Sequence, residues 1–65
     1  MFTVTDICEL FTGNQNIAIW DVDLERIVWS GDSEDVPSKY LFAEIVGIDE
    51  IVPNNSGILT LNVQL

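Results

Sequence analysis

The stretch from Asn16 to Gly31 restricts the folds open to this chain more than any other. It reads as two short strands, Asn16–Val22 and Glu25–Ser30, because runs of β-branched and aromatic residues flank a tight acidic turn at Val22-Asp23-Leu24-Glu25. With Asp21 facing Arg26 across the turn, Trp20 lies beside Ile27 and Ala18 beside Trp29 on one face. Ile19 then meets Val28, and Ile17 meets Ser30, on the other. Both faces are largely apolar, whereas a sheet with one wet side needs polar residues at every second position. Each face therefore calls for a cover. The Ile17, Ile19 and Val28 face is favoured as the inner one, since mid-sized branched side chains pack readily under a helix. Both tryptophans then lie on the opposite side, and the reverse choice stays open.

Upstream, Thr3 followed by Asp6 resembles a capping box, with Phe2 and Ile7 at the hydrophobic-staple positions. Val4, Ile7, Cys8, Leu10 and Phe11 keep helical spacing, which predicts a helix from about Val4 to Thr12 that stops at Gly13-Asn14. Three turns do not hold alone in water, so this helix needs the sheet. After Gly31, the run Asp32-Ser33-Glu34-Asp35 leads into a second helical segment at about Val36 to Phe42, with Ser33 or Asp35 as cap and Pro37 in the first turn. Tyr40 and Leu41 are its inward residues, and a single 3₁₀ turn is the alternative.

The last third predicts another hairpin, Glu44–Val52 and Ile58–Leu65, turning at Pro53-Asn54-Asn55-Ser56-Gly57. Leu59, Leu61, Val63 and Leu65 alternate with Ile58, Thr60, Asn62 and Gln64, so one side of this half is wet. Val46 and Ile48 are the expected inward partners, and Gly47 marks a bulge or a close approach. The chain is thus one domain over residues 1–65, of α+β class and order α-β-β-α-β-β. A four-stranded, mainly antiparallel sheet carries one main helix on one face and a second short helix.

Charge narrows the function. Eleven Asp and Glu stand against Arg26 and Lys39, with no His, for a formal −9 on 65 residues. Such a surface repels DNA, RNA and anionic lipid, so neither direct nucleic-acid binding nor membrane attachment is expected. It is attracted to a basic protein surface, or else serves solubility alone. The single Cys8 rules out an internal disulfide and, with no His, leaves zinc without a ligand set. No apolar run approaches the roughly 20 residues of a membrane span, and a cytoplasmic setting follows.

No catalytic motif stands out. Asp21, Asp23 and Glu25 match the opening of a calcium loop, but Arg26 replaces the required glycine and Asp32 the closing glutamate. Carboxylate clusters at Asp32, Glu34 and Asp35, and at Asp49-Glu50, have no His to work with and too short a chain to build a cleft. Cys8 falls on the apolar stripe of the first helix, as a small core residue does. No catalytic residue, cofactor or metal is assigned.

Thr3-Val4-x-Asp6-Ile7 with Leu10-Phe11, Ile17-x-Ile19-x-Asp21, Val28-Trp29-x-Gly31, Asp35-Val36-Pro37 with Leu41, and Leu59-x-Leu61-x-Val63 run through nearly the whole chain. In these it resembles a loosely defined group of short acidic proteins from bacteriophages and mobile elements of Firmicutes. It departs from them in lacking a glycine in the first hairpin turn and in its shortage of lysine. The resemblance implies a phage or prophage accessory gene, a setting in which small acidic proteins are often host-defence inhibitors, some similar to anti-CRISPR proteins.

The expectation is a non-enzymatic protein that binds the basic, nucleic-acid-facing surface of a host protein and presents carboxylates in place of phosphates. The expected contact residues are Asp21, Asp23, Glu25, Asp32, Glu34 and Asp35, with Trp20 and Trp29 as anchors. The alternative is an assembly module that forms a homodimer, or docks, through the second apolar face of its sheet.

Overall fold

Thr3 and Asp6 close the capping box that starts the chain's first helix. The Asp6 N–H donates to Thr3 Oγ1 at 3.4 Å and the Thr3 N–H donates to Asp6 Oδ2 at 2.9 Å. Two of the N–H groups that a helix start leaves without partners are thereby satisfied. In this computed structural model, which describes residues 1–50 and 58–65, six elements follow one another: α1 (Val4–Cys8), β1 (Asn16–Asp21), β2 (Arg26–Asp32), α2 (Ser38–Leu41), β3 (Glu44–Glu50) and β4 (Leu59–Gln64). The expected turn from Pro53 to Gly57, and the end of the preceding strand at Val52, lie outside the described residues.

Both helices are shorter than the sequence spacing predicts. Leu10 and Phe11 donate their N–H groups three residues back, to the Ile7 and Cys8 carbonyls. The last turn of α1 tightens and leaves the helical path well before Gly13. Leu10 is then 69% exposed rather than part of the inward stripe. At α2, Pro37 takes the N-cap position with no side-chain hydrogen bond, so neither Ser33 nor Asp35 caps it. Tyr40 packs toward the core as expected, joined by Val36. Leu41 contributes instead through its carbonyl, which accepts from Thr5 Oγ1 at 2.7 Å and ties the two helices together.

The four strands form one mixed sheet in the order β2-β1-β4-β3. Its two outer pairings are antiparallel, but the central pair β1–β4 is parallel, with Ile17 opposite Leu59, Ile19 opposite Leu61 and Asp21 opposite Val63. This corrects the expectation of a mainly antiparallel sheet. The first hairpin joins the second through the strongly apolar strands β1 and β4, and the stretch between them, with α2 and β3, is long enough for the crossover a parallel pair requires. Ile17, Ile19, Leu61 and Val63 meet Val4, Ile7 and Ala43 in a single buried core beneath the helices.

The first hairpin keeps the expected register for two pairs only. Asp21 faces Arg26 and Trp20 faces Ile27, after which Val28 is an extra residue in β2 and the pairing slips by one. Ile19 now faces Trp29, Ala18 faces Ser30 and Ile17 faces Gly31. Since side chains alternate between faces, the bulge carries Trp29 to the inner face, where it and Val28 both pack against the core. The Ile17, Ile19 and Val28 face is indeed the inner one. Only Trp20 lies on the opposite side.

A second bulge sits in β3, where Val46 is the extra residue between the pairs Ile45–Val63 and Gly47–Asn62. Val46 is therefore 54% exposed and Ile45 packs inward in its place, while Ile48 faces Leu61 at the sheet margin and is 44% exposed. The N-terminal segment leans on this strand. Thr3 bridges to Glu44, the Ile45 N–H donates to the Phe2 carbonyl at 2.7 Å, and the Val4 N–H donates to the Ala43 carbonyl at 3.1 Å.

Trp29 lies along its own strand over Gly31, so that a Cβ at Gly31 would fall 2.9 Å from Trp29 Cζ2. Gly31→Ala is expected to displace the indole and destabilise the fold by about 1–3 kcal/mol, the usual range for overpacking. Urea unfolding measures this, and an unchanged midpoint would show that the indole moves without cost.

Candidate functional site

The hairpin turn is organised from beneath by a carboxylate. Asp21 is only 4% exposed, and its Oδ1 accepts the N–H groups of Asp23 at 2.8 Å and Leu24 at 3.3 Å. The Glu25 N–H donates to the Asp21 carbonyl at 2.7 Å, and Glu25 closes the loop with a left-handed φ of 55°. That conformation is sparsely populated by residues other than Gly and Asn. Asp21 is thus turned inward as the anchor of the loop, and Asp23, Leu24 and Glu25 are carried outward into solvent. The Asp-x-Asp spacing is the sequence signal for such a side-chain-capped turn.

A second acidic turn follows β2. Asp32 Oδ1 accepts the Glu34 N–H at 2.8 Å and the Asp32 carbonyl accepts the Asp35 N–H at 2.9 Å. Ser33 is buried and clamps the turn to the strand entry: its N–H donates to the Gln15 carbonyl at 2.8 Å, and its Oγ accepts the Gln15 N–H at 3.2 Å. Glu34 and Asp35 are exposed and Asp32 half-buried. The two acidic turns stand at opposite ends of β2, about 20 Å apart at roughly 3.3 Å per residue, on a molecule whose longest extent is 27 Å.

The tryptophans are not brought together. Trp29 belongs to the inner packing, whereas Trp20 is half-buried on the outer face beside Ile27, which is 48% exposed. At the centre of that outer face Ala18 and Thr60 face each other at 2% and 7% exposure. Among the described residues Thr60 Oγ1 has no hydrogen-bond partner. Among the described residues no group of three or more His, Cys, Asp or Glu is gathered as a metal site requires. Cys8 is half-buried, and burial pushes its thiol up from the ordinary range. No described helix is long and apolar enough to cross a membrane.

Set against protein-family models, curated proteins and solved structures, the chain finds no match. The reading of the site rests on its geometry.

Three substitutions at two positions test that geometry. Asp21→Ala removes the acceptor that holds two turn N–H groups and is expected to cost about 1–2 kcal/mol, with Asp21→Asn, which keeps an acceptor oxygen, costing less; equal losses would mean that the carboxylate is not the anchor. Thr60→Val keeps the shape and deletes an orphaned hydroxyl, so it is expected to raise stability by about 1 kcal/mol. A lower melting temperature for this variant would reveal that the hydroxyl has a partner.

Proposed function

We propose that this chain is a non-enzymatic acidic interaction protein, a phage-encoded inhibitor in kind, that blocks the basic nucleic-acid-binding surface of a host protein. The observation that carries this reading is the placement of exposed Asp23, Glu25, Glu34 and Asp35 in two hydrogen-bonded turns at the two ends of one strand. Carboxylates held in closed turns lose little conformational freedom on binding, which favours affinity. Along the axis of a DNA duplex, where each strand advances about 3.4 Å per phosphate, a separation of about 20 Å corresponds to roughly six steps. Net charge of −9 adds long-range attraction to a basic surface and excludes competing nucleic acid. In this role Asp21 and Asp32 shape the two turns, Trp20 with Ile27 supplies the apolar contact between them, and Trp29 holds β2 against the core.

A second reading, assembly through the outer face of the sheet, draws on the exposed Ile27 beside Trp20. The two readings separate in two assays, the displacement of labelled duplex DNA from basic nucleic-acid-binding proteins and sedimentation equilibrium of the chain alone. The combined change Asp23→Asn, Glu25→Gln, Glu34→Gln and Asp35→Asn is expected to weaken displacement at least tenfold and to flatten its salt dependence. Undiminished displacement by that variant would overturn the inhibitor reading. Loss of association on Ile27→Asp alone, at any salt, is the result that the assembly reading expects.

A further inference from the structure

The helix layer does not cover the whole sheet. Helices of five and four residues reach only about 6–8 Å at 1.5 Å per residue, against strands of about 20 Å. At the hairpin-turn end this leaves a hollow of about 470 Å³, walled by Leu24, Val28, Tyr40 and Leu65 and with Asp21 and Arg26 in its lining. That volume lies within the roughly 300–1,000 Å³ usual for small-molecule sites. Lys39 Nζ lies 5.1 Å from the centre of the Tyr40 ring and steadies the aromatic wall.

Asp21 and Arg26 are cross-strand partners at the turn end of the β1–β2 ladder, so their side chains leave the same face of the sheet, with Cβ atoms about 4.5–5.5 Å apart. Asp21 is 4% exposed. Its Oδ1 is held by the Asp23 and Leu24 N–H groups, while its Oδ2 accepts no hydrogen bond from a described residue. Arg26 is exposed and, among the described residues, forms no ion pair, although the chain has eleven carboxylates for its two cations. A fixed negative group and an unpaired positive one thus stand side by side in the lining of one largely apolar hollow.

This arrangement selects a ligand by its charge pattern. An anion drawn to Arg26 meets Asp21 and a net charge of −9, and a cation drawn to Asp21 meets the guanidinium. A molecule with both charges on one carbon and no net charge satisfies the two at once. Its ammonium donates to Asp21 Oδ2, and its carboxylate accepts from Arg26 in the two-pronged geometry that a guanidinium favours. The walls at Leu24, Val28, Tyr40 and Leu65 call for an apolar substituent. We propose that this hollow binds a free α-amino acid with an aliphatic or aromatic side chain. The inference goes beyond the inhibitor reading and does not depend on it, since the site uses none of Asp23, Glu25, Glu34 and Asp35.

The probe is leucine, titrated into the isotope-labelled chain at near-physiological salt and followed by amide chemical shifts. Saturable movement of the Leu24, Arg26, Val28, Tyr40 and Leu65 amides is expected, with a dissociation constant in the millimolar range. N-acetylleucine lacks the ammonium, leucinamide the carboxylate and glycine the side chain, and each is expected to bind at least tenfold more weakly. Arg26→Gln, at an exposed position, is expected to keep the fold by circular dichroism and to weaken leucine binding at least tenfold. This variant retains all four exposed turn carboxylates, so displacement of DNA from basic proteins survives in it, and the two proposals fail separately. Absence of saturable shifts at these amides, an analogue that binds as tightly as leucine, or undiminished binding by Arg26→Gln would overturn the proposal.

Discussion

Ile17 and Ile19 on β1 and Leu61 and Val63 on β4 face one side of a parallel ladder, and all four are at most 1% exposed. Each fully buried side chain of this kind contributes about 1.5–3 kcal/mol, which is large against the few kcal/mol of net stability usual for so short a chain. Among the described residues the ladder is also where the two hairpins touch through their backbones, as β1 pairs with β2 and β4 on its two sides and β4 with β1 and β3. Val4 and Ile7 of α1 close over the same four residues. The helices, the hairpin turns and the acidic groups they carry are all positioned relative to that central pair.

What was legible in the sequence was local. The capping box at Thr3 and Asp6, the two hairpins, the inward alternation of Leu59, Leu61 and Val63 and the first two pairs of the β1–β2 register all follow from residue chemistry within a few positions. The docking of one hairpin on the other did not follow, because strong hairpin signals say how each strand pairs with its neighbour in sequence and nothing about the remaining edge. Val28 and Val46 were equally hidden: a β-branched residue fits a regular strand as well as a bulge, and each one-residue slip reversed the faces beyond it. Trp29 and Ile45 changed sides for that reason. Of the candidate contact residues, Asp21 was the most misleading, since a carboxylate spent on its own turn and one offered to a partner look alike in sequence.

The bulges also bear on the sheet margins. β2 and β3 are the edge strands, and each carries one bulge, while the central pair has none. A bulge twists an edge and interrupts the row of backbone groups that another chain would have to match. Exposed Ile27, Val46 and Ile48 would otherwise make these margins adhesive. Strand addition at these margins is thereby hindered. The −9 charge acts in the same direction by keeping copies apart.

The parallel ladder has a further consequence, for the route by which the chain reaches its fold. Ile17 and Leu59 lie about 40 residues apart, so forming the ladder closes most of the chain into one loop, with an entropy cost met before any of its burial is gained. Neither hairpin has a covered apolar face until that loop closes, and α1 has nothing to pack on. The small size of the domain thus does not make it a fast folder. Long-range pairing of this kind slows folding relative to a helical chain of equal length.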